Sequence, residues 1–220
     1  MVICTDKKYV FVKVYKTGGT SIYRELKKHS KSQYLLGTMY GNGTGVLQDY
    51  KTAVNAAEQG HDSGVKRKHD HVKSSWIKEN IFLELGLDWD KYFKFGFVRN
   101  PWDRELSNYF YNSGKLKPPE DISFKEWLNI RLQKNGFIRS HNSPQCDYLT
   151  DVNYVARFEN YDEEVKYLFN RIGVPMTQPL MHINKTDHKP YYEYYDDIDI
   201  MKVQQWYEKD IEMYNYEFGE

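Results

Sequence analysis

Long apolar runs are missing from this 220-residue sequence. The longest unbroken stretch is a few residues, whereas a helical membrane span needs about 20. No basic-then-apolar leader stands ahead of the first strand pattern either, so the expected location is the cytoplasm. Cysteine is scarce: Cys4 and Cys146 cannot build a disulfide framework, and their spacing suits no metal site. Net charge is lacking too. Lys plus Arg number 31 and Asp plus Glu 31, which excludes a nucleic-acid binder driven by bulk charge but leaves room for local basic pockets. Without a leader, the Asn-x-Thr triplets at Asn42 and Asn184 carry no weight as glycosylation signals. What remains is one soluble domain over residues 1–220, large enough to bury a sizeable core.

The most informative segment runs from Tyr9 to Ile22. An apolar strand, expected over Tyr9–Tyr15, leads into Lys16-Thr17-Gly18-Gly19-Thr20-Ser21, and the turn leads into a helix from about Thr20 to His29. Adjacent glycines let the backbone curl so that several N–H groups face one concavity. The helix start adds unpaired N–H groups and the positive end of its dipole. Lys16 supplies a full charge, and Thr17, Thr20 and Ser21 supply hydroxyls. The set suits a phosphate or sulfate group. It differs from the nucleotide-triphosphate pattern, in which lysine follows the glycines; here Lys16 precedes them. A tight strand-to-helix turn with purely geometric glycines is the alternative.

Farther along, Gly37 to Gly64 holds six of the fourteen glycines and reads as a mobile loop over a site. A basic segment, Lys66–Val72, precedes an amphipathic helix around Ser74–Leu85. A second strand, Tyr92–Val98, ends in Arg99, after which Asn100 and Pro101 open a helix, with Asp103 placed as a capping carboxylate. Ser123 and Glu126 form a capping box. A short strand at Asn153–Phe158 is followed by a helix capped by Asn160 with Glu163, and a last helix spans about Asp199–Tyr214. Strands alternating with helices imply an α/β domain: a central, mainly parallel sheet flanked by helices in three layers. Ligands of such sheets sit beyond the carboxyl ends of the strands, so the turn and Arg99 can line one crevice.

Asn100, Asp103, Arg104 and Ser107 recur at helical spacing, which sends polar groups toward one place. Arginine binds a phosphate at two points, and a serine hydroxyl adds a third. The other possibility is an Arg99 that pairs with a nearby carboxylate while Ser107 sits on a solvated face.

With both segments in view, the chain resembles the sulfotransferases that use 3′-phosphoadenosine 5′-phosphosulfate, notably the heparan 2-O- and related carbohydrate sulfotransferases. The resemblance is carried by Tyr15-Lys16-Thr17-Gly18-Gly19-Thr20-Ser21 and by Phe97-Val98-Arg99-Asn100-Pro101-Trp102-Asp103-Arg104-Glu105-Leu106-Ser107-Asn108-Tyr109. Further similarity lies in Gln145–Leu149, Ala156–Asn160, His182–Lys185 and the tail from Tyr195 to Phe218. Two departures stand out: Tyr15 replaces the usual proline, and Glu105 replaces an apolar residue.

The resemblance implies a P-loop fold in which Lys16, Thr17, Gly18, Gly19, Thr20 and Ser21 hold the 5′-phosphosulfate. Arg99 and Ser107 would hold the 3′-phosphate, and the loop carrying Lys185 would cover the adenine. Lys16 would stabilise the leaving phosphate, and a histidine between the two motifs would act as base; His71 aligns best, with His69 second. No metal is required, the bisphosphate is the product, and the acceptor is a hydroxyl, expected on a glycan. A His-x-His pair in a basic loop can also be merely solvated or hold an adventitious ion. Arg157-Phe158-Glu159 reads as a brace of the sheet end, and the aromatic surplus as packing more than sugar stacking. Two other readings stay open: a P-loop kinase or nucleotide hydrolase, and a nucleotide or glycan binder without turnover.

Overall fold

The first strands are apolar on both faces because helices cover both faces of the sheet. The computed structural model describes residues 1–26, 28–29, 33–35, 71–83, 85–111, 122–133, 142–176, 180 and 188–220. Among these, five strands form one sheet: β1 (Val2–Cys4), β2 (Tyr9–Val12), β3 (Gln33–Leu35), β4 (Phe93–Val98) and β5 (Tyr154–Arg157), in spatial order β3-β1-β2-β4-β5. β2 pairs in parallel with β4, and β4 with β5. β1 runs antiparallel to both its neighbours, so four of the strands share one direction. The expected three-layer α/β architecture is what the chain adopts.

On one face, Tyr9, Phe11, Phe95, Phe97 and Ala156 pack against α1 (Gly19–Leu26) through Ile22 and Leu26. Val165, Leu168 and Phe169, from a helix over Tyr161–Arg171, complete that layer. On the other face, Val10, Val12 and Val98 meet a helix that begins as α2 (Ser74–Trp76) and opens into a π-helix over Ile77–Phe82. The helices α3 (Pro101–Tyr109) and α4 (Phe124–Arg131) close that side. The Tyr161–Arg171 helix is α5, and α6 (Asp197–Trp206) and α7 (Glu208–Tyr214) follow it. Among the described residues no helix is long and apolar enough to cross a membrane.

The chain leaves β2 toward one face of the sheet and leaves β4 toward the other. That divergence opens a crevice between neighbouring parallel strands at their carboxyl ends, the usual ligand position in such sheets.

Several expected boundaries shift. β2 stops at Val12, opposite Gly96, and not at Tyr15, because β4 beyond Gly96 pairs only with β5. β1 and β3 were not anticipated: each is three residues long, too short for alternation to register. The expected final helix divides at Tyr207, whose φ of −112° and ψ of 26° break the helical run. Asn160 makes no side-chain cap, since α5 is entered from a 3-10 turn over Phe158–Asn160 that leaves Asn160 outside the extended backbone a cap requires. Ser123 and Glu126 form the expected capping box, and Asn100 caps α3 by accepting from the Trp102 and Asp103 amides. Asp103 itself is not a cap; its carboxylate goes to Arg99.

Candidate functional site

Lys16 and Gly18 both adopt left-handed backbone, with φ of 62° and 74°. Glycine takes this conformation freely, but for lysine it costs about 1–2 kcal/mol. The turn is nonetheless tightly held. The Thr17 hydroxyl donates to the Val14 carbonyl at 3.1 Å, and Tyr161 Oη donates to the Gly18 carbonyl at 3.2 Å. A Cβ on Gly18 would come within 2.6 Å of the Tyr161 ring and 3.0 Å of Phe158; one on Gly19 would lie 2.9 Å from Lys13 Cγ. Both glycines are therefore required by close approach, and the turn is pressed into an aromatic wall. Thr17 acts here as a brace. The Ser21 amide is occupied with the Gly18 carbonyl at 3.2 Å, and the Ser21 hydroxyl engages Tyr161. The amides at the very start of α1 and the half-buried Thr20 remain the donors that suit an anion.

Lys16 Nζ lies over the Tyr111 ring, 3.9 Å from its centroid, at the end of α3. Burial, and secondly the positive charge of Arg99, lower the Lys16 pKa to about 7. Two cations held close together by the fold, one of them poorly solvated, are stabilised when an anion joins them.

Arg99 joins the two sequence motifs physically. Nη1 donates to the Lys16 carbonyl at 3.3 Å, Nε donates to Asp103 Oδ2 at 2.7 Å, and the guanidinium stacks 4.3 Å from the Phe158 ring. The pairing with a carboxylate that the sequence left open is thus present, alongside the reach to the turn. The backbone of Arg99 is clamped as well: its N–H donates to Gln145 Oε1 at 2.9 Å, and its carbonyl accepts from Gln145 Nε2 at 2.8 Å. Asp210 on α7 in turn accepts from the Gln145 and Cys146 amides, at 2.7 and 2.8 Å. Asn100 is tied through its amide to Glu159 Oε1 at 2.6 Å and through Nδ2 to the Glu217 carbonyl at 2.9 Å.

Ser107 is buried on α3. Arg104 does not share the site. One position on from Asp103, and so about 100° around the helix, it turns into the core, where it stacks over Tyr207 at 4.5 Å and donates to the Ser143 carbonyl at 3.4 Å. Arg157 and Glu159 sit as a brace: Arg157 stacks over Tyr216 and pairs with Glu220, while Glu159 accepts from Tyr216. Phe158, between them, belongs instead to the site wall.

His71 lies beside the turn. Its Nδ1 donates to the Lys13 carbonyl at 3.0 Å, and its ring stacks on Tyr15. Because a carbonyl can only accept, this bond places the neutral-state lone pair on Nε2. His69, Lys185, the loop at 37–64 and the segment at 115–121 lie outside the described residues. Sequence reasoning missed Tyr111, Gln145, Phe158 and Tyr161 as site residues. Phe158 was accessible by the rule that strand ends line the crevice; the others come from distant positions without a local signature.

The strained lysine gives a stability prediction. Lys16→Gly is expected to be more stable than Lys16→Ala by about 1 kcal/mol, because only glycine relieves the left-handed backbone. In thermal denaturation this corresponds to about 2–4 °C, and equal midpoints would show that the turn stores no such strain.

A family model described as "Sulfotransferase family" matches residues 1–217. An uncharacterized protein of Archaeoglobus fulgidus is 28% identical over 87 residues, which cover 39% of this chain and 72% of that protein. Among solved structures, a sulfotransferase from Alicyclobacillus acidocaldarius aligns with a TM-score of 0.45 and 15% identity, over 95% of this chain and 98% of that one. A mouse sulfotransferase complexed with PAP aligns with a TM-score of 0.42 and 12% identity, over 95% of this chain and 67% of that one.

Proposed function

The chain belongs to the sulfotransferase family, and from that premise we propose that it moves the sulfuryl group of 3′-phosphoadenosine 5′-phosphosulfate to a hydroxyl, with a carbohydrate as acceptor class. The match over residues 1–217 favours a single sulfotransferase-like domain. The observation that supports the site reading is the approach of Arg99 Nη1 to the Lys16 carbonyl, which brings the two sequence motifs into contact.

In this reading the amides at the start of α1 and Thr20 receive the 5′-phosphosulfate. Lys16 follows the charge that develops on the bridging oxygen as the sulfur–oxygen bond to phosphate breaks. Arg99, with Ser107 of α3 and Lys185 from the later loop, receives the 3′-phosphate. His71 Nε2 removes the proton of the acceptor hydroxyl as its oxygen attacks sulfur, and the Lys13 carbonyl steadies the imidazolium through Nδ1–H. His69 is the alternate base. Sulfuryl transfer resembles phosphoryl transfer in needing position and charge stabilisation more than covalent chemistry.

The test is transfer of labelled sulfate from the activated donor to a panel of sulfated and neutral glycans. His71→Ala is expected to lower turnover by about a hundredfold or more. Wild type and His71→Ala with indistinguishable rates on every acceptor would remove His71 from the mechanism. Tighter calorimetric binding of ATP with Mg²⁺ than of 3′,5′-bisphosphoadenosine would instead favour a kinase or hydrolase. Donor binding with no transfer to any acceptor would favour a non-catalytic relative.

A further inference from the structure

The Tyr15 ring lies nearly flat on the His71 imidazole, with centroids 3.4 Å apart and planes at 21°. Tyr148, from the 3-10 turn over Cys146–Tyr148, meets the Tyr15 ring edge-on at 6.2 Å and 80°. His71 is thus held in two independent ways. The Nδ1–Lys13 hydrogen bond fixes rotation within the ring plane, and the Tyr15 face fixes the plane itself. A ring face further favours a cation lying on it, and the imidazole becomes one when it accepts a proton.

We propose that Tyr15 is a positioning residue for His71, its ring holding the imidazole plane so that Nε2 faces the acceptor hydroxyl. The inference rests on the reading of His71 as the base. It assigns Tyr15 no contact with the donor, which separates its effect from that of the phosphate-binding turn.

Three variants test it in the full chain: Tyr15→Leu, Tyr15→Phe and His71→Ala. The first readout is proton NMR of the His71 ring with 3′,5′-bisphosphoadenosine present. Stacking shifts the imidazole C–H resonances upfield in wild type and in Tyr15→Phe, and Tyr15→Leu returns them toward the free-histidine position. The second readout is labelled-sulfate transfer to the glycan of the panel that wild type uses fastest. Tyr15→Leu is expected to lower kcat about tenfold, in keeping with a displaced catalytic group, with the bisphosphate Kd unchanged by calorimetry; Tyr15→Phe keeps both.

An unshifted His71 ring in wild type overturns the proposal. So does a Tyr15→Phe loss equal to that of Tyr15→Leu, which would assign the effect to the hydroxyl. Weakened bisphosphate binding in Tyr15→Leu overturns it as well, since the turn would then be what the residue supports. If His71→Ala is inactive while Tyr15→Leu matches wild type, only this inference falls. If His71→Ala turns over normally, the base reading falls and takes the inference with it.

Discussion

Affinity for 3′,5′-bisphosphoadenosine is expected to fall about tenfold for each pH unit above 7. The cause is Lys16, whose ammonium is lowered to about 7 by burial and then by Arg99. Below pH 7 it carries its charge before the ligand arrives, so nothing is lost. Above pH 7 the unliganded lysine is neutral, and a bound phosphate draws a proton back onto it. Binding then takes up a proton, and each further unit of pH opposes it. The slope ends where the pH reaches the higher pKa of the lysine paired with phosphate. On the acid side the ligand's own phosphates begin to protonate near pH 6, which places the optimum between about pH 6 and 7. Calorimetry from pH 6 to 9, in two buffers of different ionisation heat, measures both the slope and the proton count. Lys16→Met is expected to bind about 10- to 100-fold more weakly at pH 7 and to show no slope above it. A flat wild-type profile between pH 7 and 9 would mean that Lys16 keeps its charge in the unliganded protein or does not meet the phosphates.

A second large effect is expected far from the turn. Replacing Glu105 with alanine should lower the free energy of unfolding by about 3–5 kcal/mol. Glu105 is fully buried on α3 and pairs with Arg131 of α4, which is itself 2% exposed. The Tyr207 phenol, which burial pushes far above its usual pKa, donates to Glu105 Oε1 at 2.7 Å. Arg104 stacks on the same Tyr207, and its Nη2 lies 4.0 Å from Asp210. Removal of the carboxylate takes from the Arg131 guanidinium, in a low-dielectric interior, the anion that balances its charge. The penalty comes from the stranded partner more than from the lost attraction. Glu105→Leu combined with Arg131→Met should therefore recover most of the stability, because both charges leave together. Urea unfolding of the two variants checks the pair. A Glu105→Ala loss under about 1 kcal/mol would show that the network is dispensable.

The same residue marks where the sequence stopped being informative. Glu105 stood out as a polar residue at a position where an apolar one is usual, but its partners Arg131 and Tyr207 lie on other helices and leave no trace in local spacing. By contrast, Asn100-Pro101 and Ser123-x-x-Glu126 are complete within four residues, and both caps form as expected. β4 and β5 were recognisable because each carries an apolar run bounded by turns. The site divides along the same line. Lys16, the glycines and Arg99 stood out because their chemistry goes with a strand end or a phosphate-binding turn, whereas His71 stood out only through the family resemblance. Tyr161 and Tyr111 of the wall, and the Gln145 clamp on Arg99, were not legible; each acts on a residue dozens of positions away, and aromatic residues are too common in this chain to signal a site. The π-helix after Trp76 was also hidden, since its residues read as an ordinary amphipathic pattern.

The parallel pairing of β2 with β4 sets a condition on how the protein comes to exist. Tyr9 sits opposite Phe93, so the sheet position that anchors the anion-binding turn is filled only after a long crossover has closed, and closing a long loop is an entropic cost met before its contacts form. A chain still being synthesised can carry the whole Lys16 turn and yet hold no Arg99 against it. Under the proposed reading, donor recognition therefore waits on closure of the crossover, and bisphosphate would stabilise only chains that have already made that join.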